Sequence, residues 1–142
     1  MTVSTVDPSH LPGSRDPQSA YQPGACNIGP AEIARRRRAG HLGLAAALVL
    51  LGVLGGFRAP RWTRLSVALP AAIAASGYLQ ASLRFCAGFG SRGVFNFGTL
   101  GQTSRVEDAA ARARDRIRAH QIGIASLALG GLVGLVATVL PR

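Results

Sequence analysis

This sequence of 142 residues has no lysine, only six acidic residues and only two cysteines. Charged residues make up 15% of the chain, and 48% of the chain is hydrophobic. A domain of this size leaves much of its surface in water, and so few charges would cover that surface poorly. Cys26 and Cys86 lie too far apart in the chain to indicate a disulfide framework. The composition therefore disfavours a water-soluble enzyme.

Motifs of catalysis are also lacking. The sequence contains no Gly-x-Ser-x-Gly, no His-Glu-x-x-His and no phosphate-binding loop. Residues 88–93 fit Gly-x-Gly-x-x-Gly, but a predicted membrane helix precedes them where a dinucleotide site needs a strand. No nucleic-acid-binding fold is recognisable in spite of the net charge of +10. We therefore predict no catalytic residue, no cofactor and no nucleic-acid partner.

The apolar residues gather in three blocks without Asp, Glu, Lys or Arg, at 39–57, 65–83 and 121–140. A helix rises about 1.5 Å per residue, so each block nearly spans the ~30 Å hydrocarbon layer of a bilayer. Pro70 and Gly77 make the second block the least regular helix. The pattern predicts an all-α fold, a small three-helix integral membrane bundle.

The segments outside the blocks differ in composition. Residues 1–25 are interrupted by prolines and predict a disordered N-terminal tail, which leaves 26–140 as a single transmembrane domain. Residues 84–103 hold four of the five phenylalanines among many glycines, and predict an irregular loop that lies in the membrane interface or packs against the end of the bundle. Ser104 and Glu107 have the spacing of a capping box. They predict the start of an amphipathic cytoplasmic helix that completes segment 84–120 and continues into the last span.

Arginine counting orients the predicted spans, because short arginine-rich segments stay in the cytoplasm. We predict a multi-pass protein of the plasma (inner) membrane with a cytoplasmic N-terminus and an outer C-terminus. That orientation leaves four arginines outside, namely Arg58, Arg61, Arg64 and Arg142. It places twelve inside: Arg15, Arg35, Arg36, Arg37, Arg38, Arg84, Arg92, Arg105, Arg112, Arg114, Arg116 and Arg118.

Two features that flank the first span predict contacts with lipid headgroups. The run Arg35, Arg36, Arg37 and Arg38 precedes the span, and each arginine near an anionic surface contributes about 1 kcal/mol of attraction. Trp62 follows the span and suits the headgroup level. Membrane lipids with anionic headgroups are therefore predicted partners.

Two cysteines and two histidines fall at the same predicted depth. Cys26 and His41 flank the start of the first span, Cys86 follows the second, and His120 precedes the third. Two thiols and two imidazoles could form a tetrahedral metal site or a redox site. Cys-x-x-Cys spacing is lacking, however, and isolated cysteines mostly act as small apolar residues. These four residues are a candidate metal cluster. The only support from the sequence is that all four are predicted to lie at a similar depth in the membrane.

Glycines four residues apart let two membrane helices approach closely. Gly52 and Gly56 have this spacing in the first span, and Gly130 and Gly134 have it in the third. They predict packing within the bundle, with a membrane-protein partner or with a second copy.

In its general character, though in no motif, the chain resembles the many small inner-membrane proteins of bacteria. Its leading interpretation is a noncatalytic accessory or scaffolding subunit of a membrane assembly. A thiol- or metal-dependent redox component and an anionic-lipid-responsive regulator are the alternatives.

Overall fold

The computed structural model of this protein describes residues 17–140, so most of the predicted N-terminal tail lies outside the described residues. Within this range the chain is mostly helical, with one small antiparallel sheet, which confirms the predicted all-α fold class. The helices are α1 (Pro30–Gly56), α2 (Ala68–Ser82), α3 (Ala87–Arg92) and α4 (Ala109–Val139). Strand β1 (Val94–Phe95) pairs with β2 (Ser104–Arg105), and 3-10 turns cover Pro17–Ala20 and Arg61–Val67.

Three helical segments are long and apolar enough to cross a membrane: Pro30–Gly56, Arg61–Ser82 and Ala109–Val139. They contain the three predicted spans almost entirely and indicate a membrane protein. The first begins at Pro30, well before the apolar block, because proline fits the first turn of a helix and the arginine run continues the helix outward. The third is one continuous helix that joins a charged half to an apolar half, as the sequence predicts.

The predicted capping box is wrong. Ser104 lies in β2, where it pairs with Phe95. Asp108 is the N-cap of α4, and its carboxylate accepts hydrogen bonds from the backbone nitrogens of Ala110 and Ala111 at 3.2 and 2.9 Å. The strand pairing removes Ser104 from the helix start, so the next residue able to cap takes the position.

Helix α2 lies between α1 and α4 and runs antiparallel to both. Its contact with α1 is closest where Gly77 meets Gly40: a methyl group added at Gly77 would collide with the Gly40 backbone. One turn further along, a methyl group on Gly43 would lie 2.6 Å from the Ala74 nitrogen. Gly77, which the sequence presents as a helix-weakening residue, therefore serves as the contact point between two helix backbones.

The contact between α2 and α4 uses a predicted glycine pair. A methyl group on Gly130 would lie 2.5 Å from the Ala72 Cβ, and one on Gly134 would lie 2.7 Å from the Ala68 Cβ. Both glycines are buried. Gly130 and Gly134, predicted as packing residues, thus lie at the contact between α4 and α2 within the chain.

A folded layer covers the end of the bundle at which α1 begins and α2 ends. We call this the polar end, and we call residues 17–29 and 83–108 the end layer. The layer has two apolar centres. The one around Phe95 packs on Ala111 in the first turn of α4, and the one around Phe85 packs on Ala119 and Ile122, two to three turns further along. The predicted irregular loop 84–103 is therefore wrong in part, because this segment contains α3 and β1. Its glycines permit close contacts: a methyl group on Gly90 would meet the Phe85 ring at 2.7 Å.

Candidate functional site

The polar end brings together most of the buried charged and polar side chains of the described chain. Asn27, Glu32, Asn96 and Asp115 are each 3% exposed or less, and Arg36 is half-buried beside them. Buried polar groups need partners to offset lost hydration. The contacts of these residues therefore define the candidate site.

Asp115, on the first half of α4, holds the N-terminal segment of the end layer in place. We call residues 17–29 the strap. The Asp115 carboxylate accepts one 2.7 Å hydrogen bond from the Tyr21 hydroxyl and another from the Gly24 backbone nitrogen. Burial and the bond to Asp115 raise the pKa of Tyr21. The predicted disordered tail thus extends too far: from residue 17 the chain has a defined structure, and Tyr21 stacks on Phe95.

The strap continues into a second set of bonds at Asn27. Its side chain exchanges two hydrogen bonds with the Cys86 backbone, at 2.7 and 3.1 Å. The Asn27 carbonyl accepts from Asn96, and Gly29 donates to the Asn96 carbonyl at 2.7 Å. Asn27 is fully buried, and its bonds join the strap to the segment after α2 and to Asn96, the residue that follows β1.

A buried acid, a guanidinium and a thiol meet at the start of α1. Arg36 donates a 2.9 Å hydrogen bond to the Cys86 sulfur and lies 3.7 Å from the Glu32 carboxylate. Within residues 17–140 neither Glu32 oxygen has a hydrogen-bond partner. Cys86 is only 1% exposed, so reagents in solution cannot reach this thiol while the fold is intact.

The structure does not gather the four candidate metal ligands into one site. Cys86 bonds to Arg36, while the Cys26 thiol points to the Ile28 carbonyl at 4.0 Å. His41 is exposed and lies 2.7 Å from the Tyr78 hydroxyl, and His120 is exposed on α4. Across the described residues, no three His, Cys, Asp or Glu side chains form a group that could hold a metal ion. Equal depth along the bundle did not bring these residues together.

The predicted lipid anchors occupy different environments. Arg35, Arg37 and Arg38 are exposed at the polar end, whereas Arg36 is turned inward to Glu32 and Cys86. Trp62 is 76% exposed at the opposite end, in the turn between α1 and α2. Arg35 also lies 3.6 Å from the Glu32 carboxylate. Exposure leaves Arg37, Arg38 and Trp62 available to lipid, while Arg36 has a role inside the protein.

The remaining predicted glycine pair has no partner within the described chain. Methyl groups added at Gly52 or Gly56 would meet no atom within 4 Å, and Gly55 beside them is equally open. These glycines lie on the last turns of α1, whose neighbouring surface carries exposed Leu48 and Val49. Glycines at the same spacing thus pack α4 against α2 but are uncovered on α1.

Two openings border the helix contacts near the polar end. A cleft of about 430 Å³ lies over α2 between α1 and α4, with Gln80 and Ser126 among mostly apolar walls. A larger cavity of about 890 Å³ lies between the strap, the start of α1 and the end of α2, and includes Arg37 and Arg84. We call the larger one the rim cavity.

Sequence reasoning missed the functional geometry of Arg84, Asp115 and the strap. The one available signal for Asp115 was its position on a helix flanked by arginines, which surface ion pairs explain equally well.

A search of known protein families, curated proteins and solved structures finds no match to this chain.

Proposed function

We propose that this protein is a noncatalytic scaffolding subunit of an assembly in the plasma (inner) membrane, with its N-terminus in the cytoplasm and its C-terminus outside. Its role in that assembly is to bind a transmembrane helix of another subunit. Three helices long and apolar enough to cross a membrane support membrane insertion. The proposal concerns what the outer surfaces of these helices bind.

The bare glycine face of α1 carries this proposal. In hydrocarbon, close backbone contact supplies much of the attraction between helices, because apolar side chains gain little by leaving lipid. Gly130 and Gly134 are buried in such a contact with α2, whereas Gly52 and Gly56 face away from the bundle. A helix from another chain would gain at Gly52 and Gly56 the contact that α2 gains at the other pair.

The test combines isolation in mild detergent with a change that blocks only this face. A Cβ atom at Gly52 or Gly56 would meet no neighbouring atom within 4 Å, so we expect the double leucine variant to fold normally. We expect wild-type protein to carry a stoichiometric membrane partner and the Gly52→Leu/Gly56→Leu variant to lose it. Circular dichroism and the unfolding midpoint should be the same for both.

Gly131 offers a matched control. It lies on α4, and a methyl group there also meets nothing within 4 Å. Gly131→Leu should therefore retain the partner. A wild-type protein that purifies alone, or a partner that remains bound to the Gly52→Leu/Gly56→Leu variant, would refute the proposed role of this face.

A further inference from the structure

The rim cavity has the size of a ligand site and walls of mixed chemistry. Its volume of about 890 Å³ falls within the range of roughly 300–1,000 Å³ that small-molecule sites occupy. Ile33 and Ala81 form part of an apolar wall, and the Gln22 and Ser82 side chains add polar groups. A ligand that combines an apolar part with a polar part would match these walls.

The charge of the rim cavity is of one sign. Arg37 and Arg84 line it, and none of the residues around it is acidic. Within residues 17–140 neither guanidinium makes a hydrogen bond or an ion pair with the protein. Arg36, the neighbour of Arg37, is instead engaged with Glu32 and Cys86. The cavity thus holds two unpaired cations, and their planar donor groups match the oxygens of a phosphate.

The position of the rim cavity along the bundle favours a lipid headgroup as the source of that phosphate. Arg37 lies just before the first apolar block and Arg84 just after the second. Ile33 and Ala81 therefore lie where helices that cross a bilayer emerge from hydrocarbon into the headgroup region. A phospholipid presents its phosphate at this level with its apolar part beside it.

We propose that the rim cavity binds the phosphate of one anionic phospholipid, with Arg37 and Arg84 as its two cationic ligands. The inference depends on the protein residing in a bilayer, but not on the proposed contact of α1 with a partner. The Gly52→Leu/Gly56→Leu variant should therefore bind the lipid as the wild type does, and so the two proposals can fail separately.

The backbone at Arg84 permits an unusually clean test. Arg84 has φ +52°, in the left-handed region that favours glycine. Its nitrogen donates to the Ala81 carbonyl, and the Phe85 nitrogen donates to the Gln80 carbonyl. This is the Schellman ending of a helix, in which glycine is the usual residue at this position. Arg84→Gly therefore removes the guanidinium while it relieves the backbone.

Arg58 provides a matched control at the other end of the bundle. It has φ +51° after α1, and the bonds from Arg58 to Gly55 and from Ala59 to Leu54 form the same helix ending. It does not line the rim cavity. Arg58→Gly thus makes the same chemical and backbone change and removes the same charge without touching the proposed site.

The experiment counts lipids bound to the full-length protein. Protein in neutral detergent is titrated with phosphatidylglycerol, with phosphatidylcholine or with inorganic phosphate, and native mass spectrometry measures the bound species. We expect one phosphatidylglycerol to bind at least tenfold more tightly than phosphatidylcholine. Arg84→Gly and Arg37→Gln should each abolish this preference, whereas Arg58→Gly should retain it. The unfolding midpoint of Arg84→Gly should equal or exceed that of the wild type.

Three results would overturn the inference. The first is an Arg84→Gly variant that folds and keeps the tenfold preference. The second is an equal loss of preference in Arg84→Gly and Arg58→Gly, which would assign the effect to net charge. The third is displacement of the lipid by inorganic phosphate at equal concentration, which would make a soluble phosphate the ligand of the two arginines.

Discussion

The hydroxyl of Tyr21 donates a 2.7 Å hydrogen bond to the carboxylate of Asp115, which lies 94 positions later in the chain and is completely buried. This contact, with the one from the Gly24 nitrogen, attaches the strap to α4. Since α1 follows directly after the strap, Asp115 also fixes where α1 begins relative to α4.

Loss of the Asp115 carboxylate should destabilise the fold. Asp115→Ala removes the acceptor of two hydrogen bonds, and a bond to a charged group contributes about 1.5–3 kcal/mol. We expect the free energy of unfolding in detergent micelles to fall by about 3 kcal/mol, and a protease to cut the strap sooner. Glu107→Ala, which removes an exposed carboxylate near the start of the same helix, should change it by less than about 0.5 kcal/mol. Equal stability of the two variants would contradict the role of Asp115.

Alkaline pH should release the strap through Tyr21. Burial and the hydrogen bond to Asp115 raise the pKa of Tyr21 in the folded protein, above the value of about 10 of an unfolded tyrosine. Between about pH 10 and the folded-state pKa, Tyr21 therefore keeps its proton in the folded protein but loses it in the unfolded chain. Stability from this group is therefore complete below about pH 10 and is lost as the pH rises through the folded-state pKa.

Tyr21→Phe isolates this pH effect from that of the other titrating groups. Unfolding midpoints of wild type and variant should converge as the pH increases above about 10, since only the wild type has the ionisable group. Parallel pH profiles of the two proteins would show that Tyr21 does not contribute to alkaline loss of stability.

Adjacent glycines on α4 should respond oppositely to alanine. A methyl group on Gly130 would lie 2.5 Å from the Ala72 Cβ, and overpacking of this kind costs about 1–3 kcal/mol. Gly131 has nothing within 4 Å, so its methyl group meets only open space. Gly130→Ala should lower the unfolding midpoint in detergent, and Gly131→Ala should leave it unchanged or raise it. The same loss from both would place the contact between α2 and α4 elsewhere.

The proposed orientation can be tested with reporters fused after Arg142. Arginine is concentrated at the polar end, where α1 begins, and positively charged segments resist translocation. A reporter active only in the cytoplasm should therefore stay inactive at the C-terminus, and one active only outside should be active. Cytoplasmic activity there would reverse the assignment of sides.

The three long helices could be predicted from sequence because each contains a continuous block of residues without charge. A block of about twenty residues without charge leaves few alternatives to a membrane-spanning helix, since hydrocarbon requires every backbone group to be paired within the segment. The end layer has no comparable pattern in its local sequence. Its bonds join Asn27 to Cys86 and Tyr21 to Asp115, residues that are 59 and 94 positions apart, and neither partner shows a local pattern.

The glycine pairs mark a similar limit. Spacing of four identified Gly130 and Gly134 as packing residues, but the same spacing in Gly52 and Gly56 gives an outward face. A pattern within one helix specifies that a smooth face exists, and the neighbouring helices decide what covers it. Gly77 was missed for the same reason, because its partner, Gly40, lies on another helix.

The arginines that end α1 and α2 have a mechanical consequence. Each arginine follows a helix end with its backbone in the left-handed conformation, and because α1 and α2 are antiparallel, Arg58 and Arg84 lie at opposite ends of the hairpin. Sliding of the hairpin along the bilayer normal in either direction would draw one of them towards hydrocarbon, where an arginine at the bilayer centre costs about 2.5–3.5 kcal/mol. If the hairpin crosses a bilayer as proposed, the pair would set its depth along the bilayer normal and would match the protein to a particular bilayer thickness.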